Sequence, residues 1–465
     1  MAGSIQELSL HDCLSPSPQS LVSIEIHEQP QPQPPNPFTD DWLPLTESRN
    51  GNFFSCVFHL LSSSLGFQAL LLPLVFSLLG WLWGIICVSM VFGWQLYTTW
   101  LLVHLHEAVP GIRISRYLHL AIVAFGPKVG KIVAIFPVMY LSGGSCVITI
   151  ITGGRIMELL FGLVSDKPNS LSGTGWFFIF TCVAITLAHQ PSLNSITAFS
   201  FVASITSIAY FTLIWVSTIP PNAKPSKVSH APLQHDMPTT ALIFNALAIL
   251  MLSFRGHNLV LEIQGTLPSD SSKIMWKAVV LAYLLIDMCM YPLAILEFWA
   301  YGNQIPRKVG TTSVFLQFYL QNAKKVIRFI AYMLVLVNCF SSFQIYAMPV
   351  FDNLEMKYTS IKNKRCSCLV RTCIRIFFGG LTFFISVAFP FLPNLPGFIG
   401  GLALPLTYVY PCLMWISIQK TPRNSSMWCL NLLLACLGVA VTICSVTAAL
   451  WTLVTKGLSA HFFKP

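Results

Sequence analysis

A few ionisable residues stand inside long apolar stretches, where a charge costs about 3 kcal/mol at a helix centre and persists only if something answers or uses it. Arg255 and His257 fall together in LSFRGHNLVLEIQGTLP, Glu262 follows on the same stretch, and Asp287 and Glu297 stand in the next one. An intramembrane guanidinium must face a cavity or a partner, so Arg255 could clamp a substrate carboxylate; the plainer reading is an ion pair with Asp287 or Glu262. His257 could carry a proton, because small changes of surroundings move an imidazole across physiological pH, or it could be a hydrogen-bonded packing residue. Asp287, Glu262 and Glu297 are carboxyls able to take up a proton, with ion pairing or snorkelling from a helix end as the alternative. Arg155 and Glu158, one turn apart, read as a local ion pair. Asn338, Ser341, Ser342 and Gln344 form a polar run that could line a cavity or join helices.

Two apolar stretches also carry their own interruptions. SSSLGFQALLLPLVFSLLGW is broken by Gly66, Gln68 and Pro73, and the stretch around Arg255 is broken at Gly256 to Asn258. Membrane carriers commonly hold a small substrate at the midplane between two interrupted helices, whose freed backbone groups meet it. A kinked packing helix explains a lone Gly or Pro equally well, but here the interruptions fall on the first and sixth of eleven spans. That is the placement expected if spans 1–5 and 6–10 form an inverted repeat.

The elements that would position these residues follow from composition. Apolar residues make up 54% of the 465 and charged residues 9%, against about 25% charged in an ordinary soluble domain. The fold class expected is an all-α polytopic membrane protein. Charge-free runs place eleven transmembrane helices at 53–79, 82–103, 132–160, 176–188, 194–217, 239–266, 274–301, 326–351, 372–390, 396–418 and 427–454. With the N-terminus in the cytoplasm, inner segments hold 15 basic residues and outer ones 10, which favours that orientation. The sequon at Asn424 then faces inward and stays unglycosylated.

The net charge of +10 is spread between apolar runs, so it sets topology and does not suggest nucleic acid. The 14 cysteines show no metal-ligand or disulfide spacing, so neither metal, cofactor nor disulfide framework is expected. No HExxH or GxSxG motif occupies a span, which argues against an enzyme. Residues 1–50, with QPQPQPPNP, no cleavable signal and proline-directed Ser15 and Ser17, read as a disordered cytoplasmic tail, and 51–460 as a single transporter domain. The basic stretch Lys357 to Arg375, with Cys366 and Cys368, reads as a topogenic loop, or else as a lipid-attracting or acylated one.

Four strings, GHNLVLEIQGTLPS (Gly256 to Ser269), QIYAMPVFDNLE (Gln344 to Glu355), LHEAVPGIRISRY (Leu105 to Tyr117) and TGGR (Thr152 to Arg155), resemble the lysine-histidine-transporter-like branch of the plant amino acid/auxin permease family. The resemblance covers nearly all of the chain after residue 50. It implies a LeuT-type fold of the APC superfamily, a 5+5 inverted repeat with discontinuous helices 1 and 6, and proton-coupled import of amino acids through a lipid bilayer, most simply the plasma membrane. It places the site between spans 1, 3, 6 and 8. The substrate-binding candidates are then Gly66, Phe67, Gln68, Ala69, Ser142, Ser253, Phe254, Arg255, Gly256, Asn338 and Ser341, and the proton-coupling candidates are His257, Asp287 and Glu262.

The departures from the family pattern carry information too. GFQALLLP stands where the family resembles GAGVLGLP, so Gln68 and Leu71 replace glycines and narrow the first span's side of the site. Ser142 stands where the family carries a glutamate, and Arg255 where it has a small residue. A base gained and an acid lost disfavour cationic substrates. A carrier for an auxin-like organic anion and a sensor that binds an amino acid without moving it remain the other classes. If Asp287 neutralises Arg255, Arg255→Ala and Asp287→Ala each impair uptake about tenfold or more and the double variant recovers part of the loss; a double variant as poor as the product of the two singles would show the residues are independent.

Overall fold

A computed structural model of the chain describes residues 51–110, 112–165, 171–189, 193–219, 228–230, 239–254, 256–268, 271–306, 312–362, 366–392, 395–456 and 463. All belong to one compact unit, Trp42–Pro465; the tail over 1–50 and the side chain of Arg255 lie outside the described residues.

The unit is helical throughout, with one isolated β-bridge between Val109 and Ile112 among the described residues. Its elements are α1 (Phe53–Ser64), a 3₁₀ turn (Phe67–Leu71), α2 (Leu72–Leu105), α3 (Tyr117–Phe125), α4 (Pro127–Val164), α5 (Gly173–Ala188), α6 (Leu193–Thr218), α7 (Thr239–Ser253) and α8 (His257–Gly265). There follow α9 (Ser271–Tyr301), α10 (Thr312–Tyr319), α11 (Lys325–Lys362), α12 (Cys368–Ala388), α13 (Pro396–Leu404), a π turn (Pro405–Val409), α14 (Tyr410–Ile418) and α15 (Ser426–Lys456). Among the described residues nine segments are long and apolar enough to cross a membrane, and Phe53–Ser64 and Gly173–Ala188 are shorter apolar helices. Helices are what hydrocarbon demands, because each satisfies its own backbone. Large apolar residues such as Leu82, Met288, Phe377 and Val454 are left on the outside, a surface suited to hydrocarbon and not to water.

Glycine and proline set the joints. Gly80 lies inside α2 with φ 78°, a conformation L-residues avoid, and turns the chain where the sequence places the end of its first span. The tenth expected span runs as one helical segment, Pro396–Ile418, with the π turn inside it where Pro405 and Pro411 supply no backbone N–H. The Tyr117 hydroxyl donates to the Leu406 carbonyl in that turn at 2.7 Å, pinning α3 to it. Within the bundle α11 runs along α4 and α6, α7 packs on α2, α13 and α15, and α1 packs on α6 and α9.

One expectation is corrected here. The basic stretch from Lys357 to Arg375 is mostly helix, not a loop: α11 continues to Lys362 and α12 starts at Cys368. Apolar runs mark where a helix leaves hydrocarbon, not where it stops. Two of the basic residues answer one acid, Glu355, with Arg371 Nε at 3.1 Å and Arg375 Nη2 at 3.9 Å.

The connection from α2 to α3 straps the junction of α8 and α9. Arg113 Nη2 donates to the carbonyls of Leu267 and Pro268 at 3.0 and 3.2 Å, beyond the end of α8. Glu107 accepts from the Ser271 hydroxyl at 2.8 Å and from its backbone N–H at 3.4 Å, so a carboxylate sits at the N-terminus of α9, where the helix dipole favours it. His106 is wholly buried beside them. Burial first, then the Arg113 guanidinium, holds its imidazole down from 6.5 to about 4, against an opposing pull from Glu107.

The unfolded chain therefore binds a proton that the folded one refuses between those values. Stability from this group is complete above pH 6.5 and is lost as pH falls toward 4, by at most about 3 kcal/mol. Melting temperature in detergent should drop between pH 6.5 and 5, and the drop should be smaller in His106→Gln; parallel curves would show that His106 does not set it.

Candidate functional site

The first interruption is a true break. Leu65 leaves helical geometry with φ −88° and ψ 79°, and Gly66 is extended at φ −103° and ψ 164° before the 3₁₀ turn begins. A break inside a membrane frees carbonyls that must find donors. Tyr346 of α11 donates to Ser63 O at 2.6 Å, Ser207 of α6 to Leu65 O at 3.1 Å, and Tyr319 of α10 to Leu70 O at 3.1 Å. Ser253 of α7 reaches Gln68 O at 3.5 Å, the outer limit of a hydrogen bond. The expectation of bare carbonyls awaiting a substrate is thus corrected, since hydroxyls from four other elements occupy them.

The second interruption meets the first. α7 stops at Ser253 and α8 starts at His257, with Gly256 between them in the left-handed region at φ 105°. A Cβ there would lie 2.8 Å from Ser64 Oγ and 3.1 Å from Ser63 Oγ, so glycine is required by both conformation and space. Among the described residues no side chain caps the N-terminus of α8. Its positive dipole end and the negative C-terminal end of α1 therefore face one buried junction.

Several expected residues gather at this junction. Gly66, Phe67, Gln68 and Ala69 are buried in or beside the 3₁₀ turn, and Gln68 Oε1 has no hydrogen-bond partner among the described residues. Ser142 of α4 accepts from Asn258 Nδ2 at 3.2 Å, in the first turn of α8. Ser253 and Phe254 are buried at the end of α7, and Phe254 packs on Phe92 with ring centroids 6.1 Å apart. Ser341 is buried on α11, and no described hydrogen bond joins it to the junction.

Asn338 reaches the junction through Ser207: it donates at 2.8 Å to the Oγ that in turn donates to Leu65 O, and at 3.0 Å to Ala203 O, binding α11 to α6, while its Oδ1 has no hydrogen-bond partner among the described residues. Others are not joined to the junction by a hydrogen bond among the described residues. Gln344 donates to Ala184 O at 2.8 Å, binding α11 to α5. Glu262 points to the far end of α8, within reach of the charges of Arg116 and Asp352, about 9 Å along the axis from Gly256. Asp287 is half-buried on α9, with Oδ1 unpartnered among the described residues. Arg155 and Glu158 form the expected local pair at 3.1 Å.

His257 belongs to a hydroxyl network that sequence reasoning missed. Its Nε2 lies 2.9 Å from Thr98 Oγ1 and 3.1 Å from Thr99 Oγ1. Thr99 meets the Tyr283 hydroxyl at 2.8 Å, Gln95 donates to that hydroxyl at 3.2 Å, and Tyr408 donates to Gln95 Oε1 at 3.3 Å. The chain of contacts joins α2, α8, α9 and the π turn. Gln95 was the available signal, as the one amide in its apolar span.

Residues 49–452 match the family described as transmembrane amino acid transporter protein. The chain belongs to that family. This transporter is 45% identical over 431 residues to lysine histidine transporter-like 7 of Arabidopsis thaliana, with 92% of the chain and 90% of the relative covered. It is 44% identical over 437 residues to lysine histidine transporter-like 8 of the same plant, covering 92% and 83%. Its fold matches that of a nucleobase-cation-symport-1 family transporter, solved closed around bromovinylhydantoin, with TM-score 0.55 at 12% identity over 89% of this chain and 95% of the other. The protein is thus an integral, multi-pass membrane transporter and not an enzyme.

Gly256→Ala should cut the transporter's uptake at least tenfold, because it adds left-handed strain of about 1–2 kcal/mol and drives a methyl into Ser64. Gly93→Ala, whose Cβ would meet nothing within 4 Å, is the matched control and should leave uptake unchanged. Equal uptake by the two variants would remove the junction's claim to be the site.

Proposed function

We propose that the transporter imports amino acids together with protons by alternating access, and that it favours neutral and acidic amino acids over cationic ones. The observation that carries this reading is the buried junction of the two breaks. An amino acid is a zwitterion: its carboxylate suits the N-terminus of α8, uncapped among the described residues, and its ammonium suits the second lone pairs of the Ser63 and Leu65 carbonyls, each of which already accepts one hydroxyl. Arg255 immediately precedes Gly256 in the chain. A guanidinium there adds attraction for a carboxylate and repels a basic side chain. Ser142, neutral and within one turn of the junction, leaves no acid to answer a lysine.

The same reading takes the two legs of Phe67–Leu105 on either side of Gly80 as parts of separate crossings and α5 as a short one, which gives eleven. The breaks then fall on crossings one and six, five apart, as a 5+5 inverted repeat requires. The N-terminus lies in the cytoplasm and the membrane is the plasma membrane. His257, Asp287 and Glu262 are the groups from which the coupling proton is drawn.

Purified transporter in liposomes, supplied with labelled alanine, glutamate, lysine and indole-3-acetate, tests this. Alanine and glutamate should enter at least tenfold faster than lysine and accumulate only under an inward proton gradient, and Arg255→Ala should narrow the gap. Lysine entering as fast as alanine defeats the specificity, indole-3-acetate alone entering makes the protein an organic-anion carrier, and saturable binding without entry of any solute makes it a sensor.

A further inference from the structure

At the end of α9 remote from Ser271 stands a carboxyl that neither the junction nor the strap uses. Glu297 is 0% exposed, so it does not snorkel. The Thr218 hydroxyl, in the last residue of α6, donates to its Oε1 at 2.6 Å. Its Oε2 is buried and has no hydrogen-bond partner among the described residues, and none of the described ion pairs includes it. The titratable groups that act on it across its surroundings are Tyr301 on its own helix and Tyr319 on α10. His230 is near but turned elsewhere, bonded through Nε2 to Trp299 O at 3.1 Å and packed on the Phe298 ring.

The neighbours give this carboxyl a mechanical address. Tyr319 donates to Leu70 O, in the 3₁₀ turn that follows the first break, and Tyr301 donates to Tyr319 O at 3.5 Å. α10 packs on the 3₁₀ turn and on α4, so this short helix covers the broken segment at one end. Glu297 is sealed from water in this arrangement, with α6 packed on α9 and Tyr319 of α10 within reach of its charge. A carboxylate so sealed, with one oxygen unanswered among the described residues, bears the cost of a buried charge, and a proton on Oε2 removes that cost. Closure and protonation therefore favour one another.

We infer that Glu297 is a proton-binding site of the gate formed by α6, α9, α10 and the 3₁₀ turn, and that the gate closes when the carboxyl is protonated. On the orientation proposed above this is the outer gate, so the proton comes from the side from which substrate is drawn. The site is distinct from the junction. It rests on the transport reading, because a gate acts only on something that passes.

Exchange at equal pH on both sides tests it without any driving gradient. Liposomes holding the full chain and a mixture of unlabelled amino acids are placed in the same mixture carrying label, at pH values from 5.5 to 8.5. Wild-type exchange should fall at least fivefold across that range, Glu297→Gln should stay within twofold of its value at pH 5.5, and Glu297→Asp should restore the fall. A Gln variant that falls as the wild type does, a wild type whose exchange is flat, or a folded Gln variant with no exchange at any pH each overturn the inference. If no amino acid exchanges in the wild type, the transport reading fails and this one with it; exchange that is pH-dependent but not driven by a proton gradient removes proton coupling and leaves the gate standing.

Should Glu297→Gln not fold, the wild type treated at pH 6 with dicyclohexylcarbodiimide, which adds to protonated carboxyls in apolar surroundings, decides. An adduct on the peptide carrying Glu297, lost in Glu297→Asp only if that variant also loses its pH response, supports the site. Its absence there overturns it.

Discussion

Inside hydrocarbon every main-chain N–H and C=O must be answered by the protein itself, and that requirement governs the rest of the molecule. Helices meet it internally, which is why the described residues are helical almost without exception. A helix can come apart at mid-membrane only where other elements supply the missing partners. At the first break Tyr346, Ser207, Ser253 and Tyr319 do so from α11, α6, α7 and α10. The break is consequently a hub, since four helices are fastened to the backbone of a short unwound segment. A shift of any one of them changes the hydrogen bonds at the place where a substrate would lie.

The second break is held in a different way. Gly256 adopts a left-handed conformation and leaves room for Ser63 and Ser64 beside it, so fit is added here to the side-chain hydrogen bonds of His257 and Asn258. Among the described residues no side chain caps the N-terminus of α8. One half of the junction is thus satisfied by the protein, while the other keeps unfilled donor character. That inequality gives the junction a polarity before any ligand arrives: carbonyls are quenched by hydroxyls, and amides are left to attract an anion.

Which of these features could be read in advance follows from range. Charge-free runs locate the helices because hydrocarbon excludes charge locally, and Gly66, Gly80 and Gly256 mark joints because their conformations are local too. The answering hydroxyls are not local. Tyr346 and Ser63 are 283 residues apart in sequence, and Ser207 and Leu65 are 142 apart. In the sequence each is an ordinary hydroxyl on an apolar helix. The polar run on α11 left two readings open for a related reason: an amide in a span must be answered, yet the pattern does not say whether by a cavity or by a neighbour's carbonyl. Asn338 and Gln344 each donate to a neighbour's carbonyl, while Asn338 Oδ1 has no hydrogen-bond partner among the described residues. Arg255, the residue on which the reading of specificity turns, was plain in the sequence as a charge where none belongs, and its placement lies outside the described residues.

The charges that remain are distributed unequally along α9. At its first residue Glu107, Arg113 and buried His106 form a strap, and the same end of the bundle holds Arg116 near Glu262 and Asp352, and Glu355 between Arg371 and Arg375. Glu297 lies 26 residues farther on, about 39 Å away at helical rise, where among the described residues Thr218, Tyr301 and Tyr319 act with it. The two ends are therefore closed by different forces. Partly exposed ion pairs at about 3–4 Å weaken as salt screens them, whereas a sealed lone carboxyl is insensitive to salt and responds to protons. A carrier that must open one end while the other is shut needs closures that do not rise and fall together, and unlike chemistries at the two ends of one helix meet that need without any additional moving part.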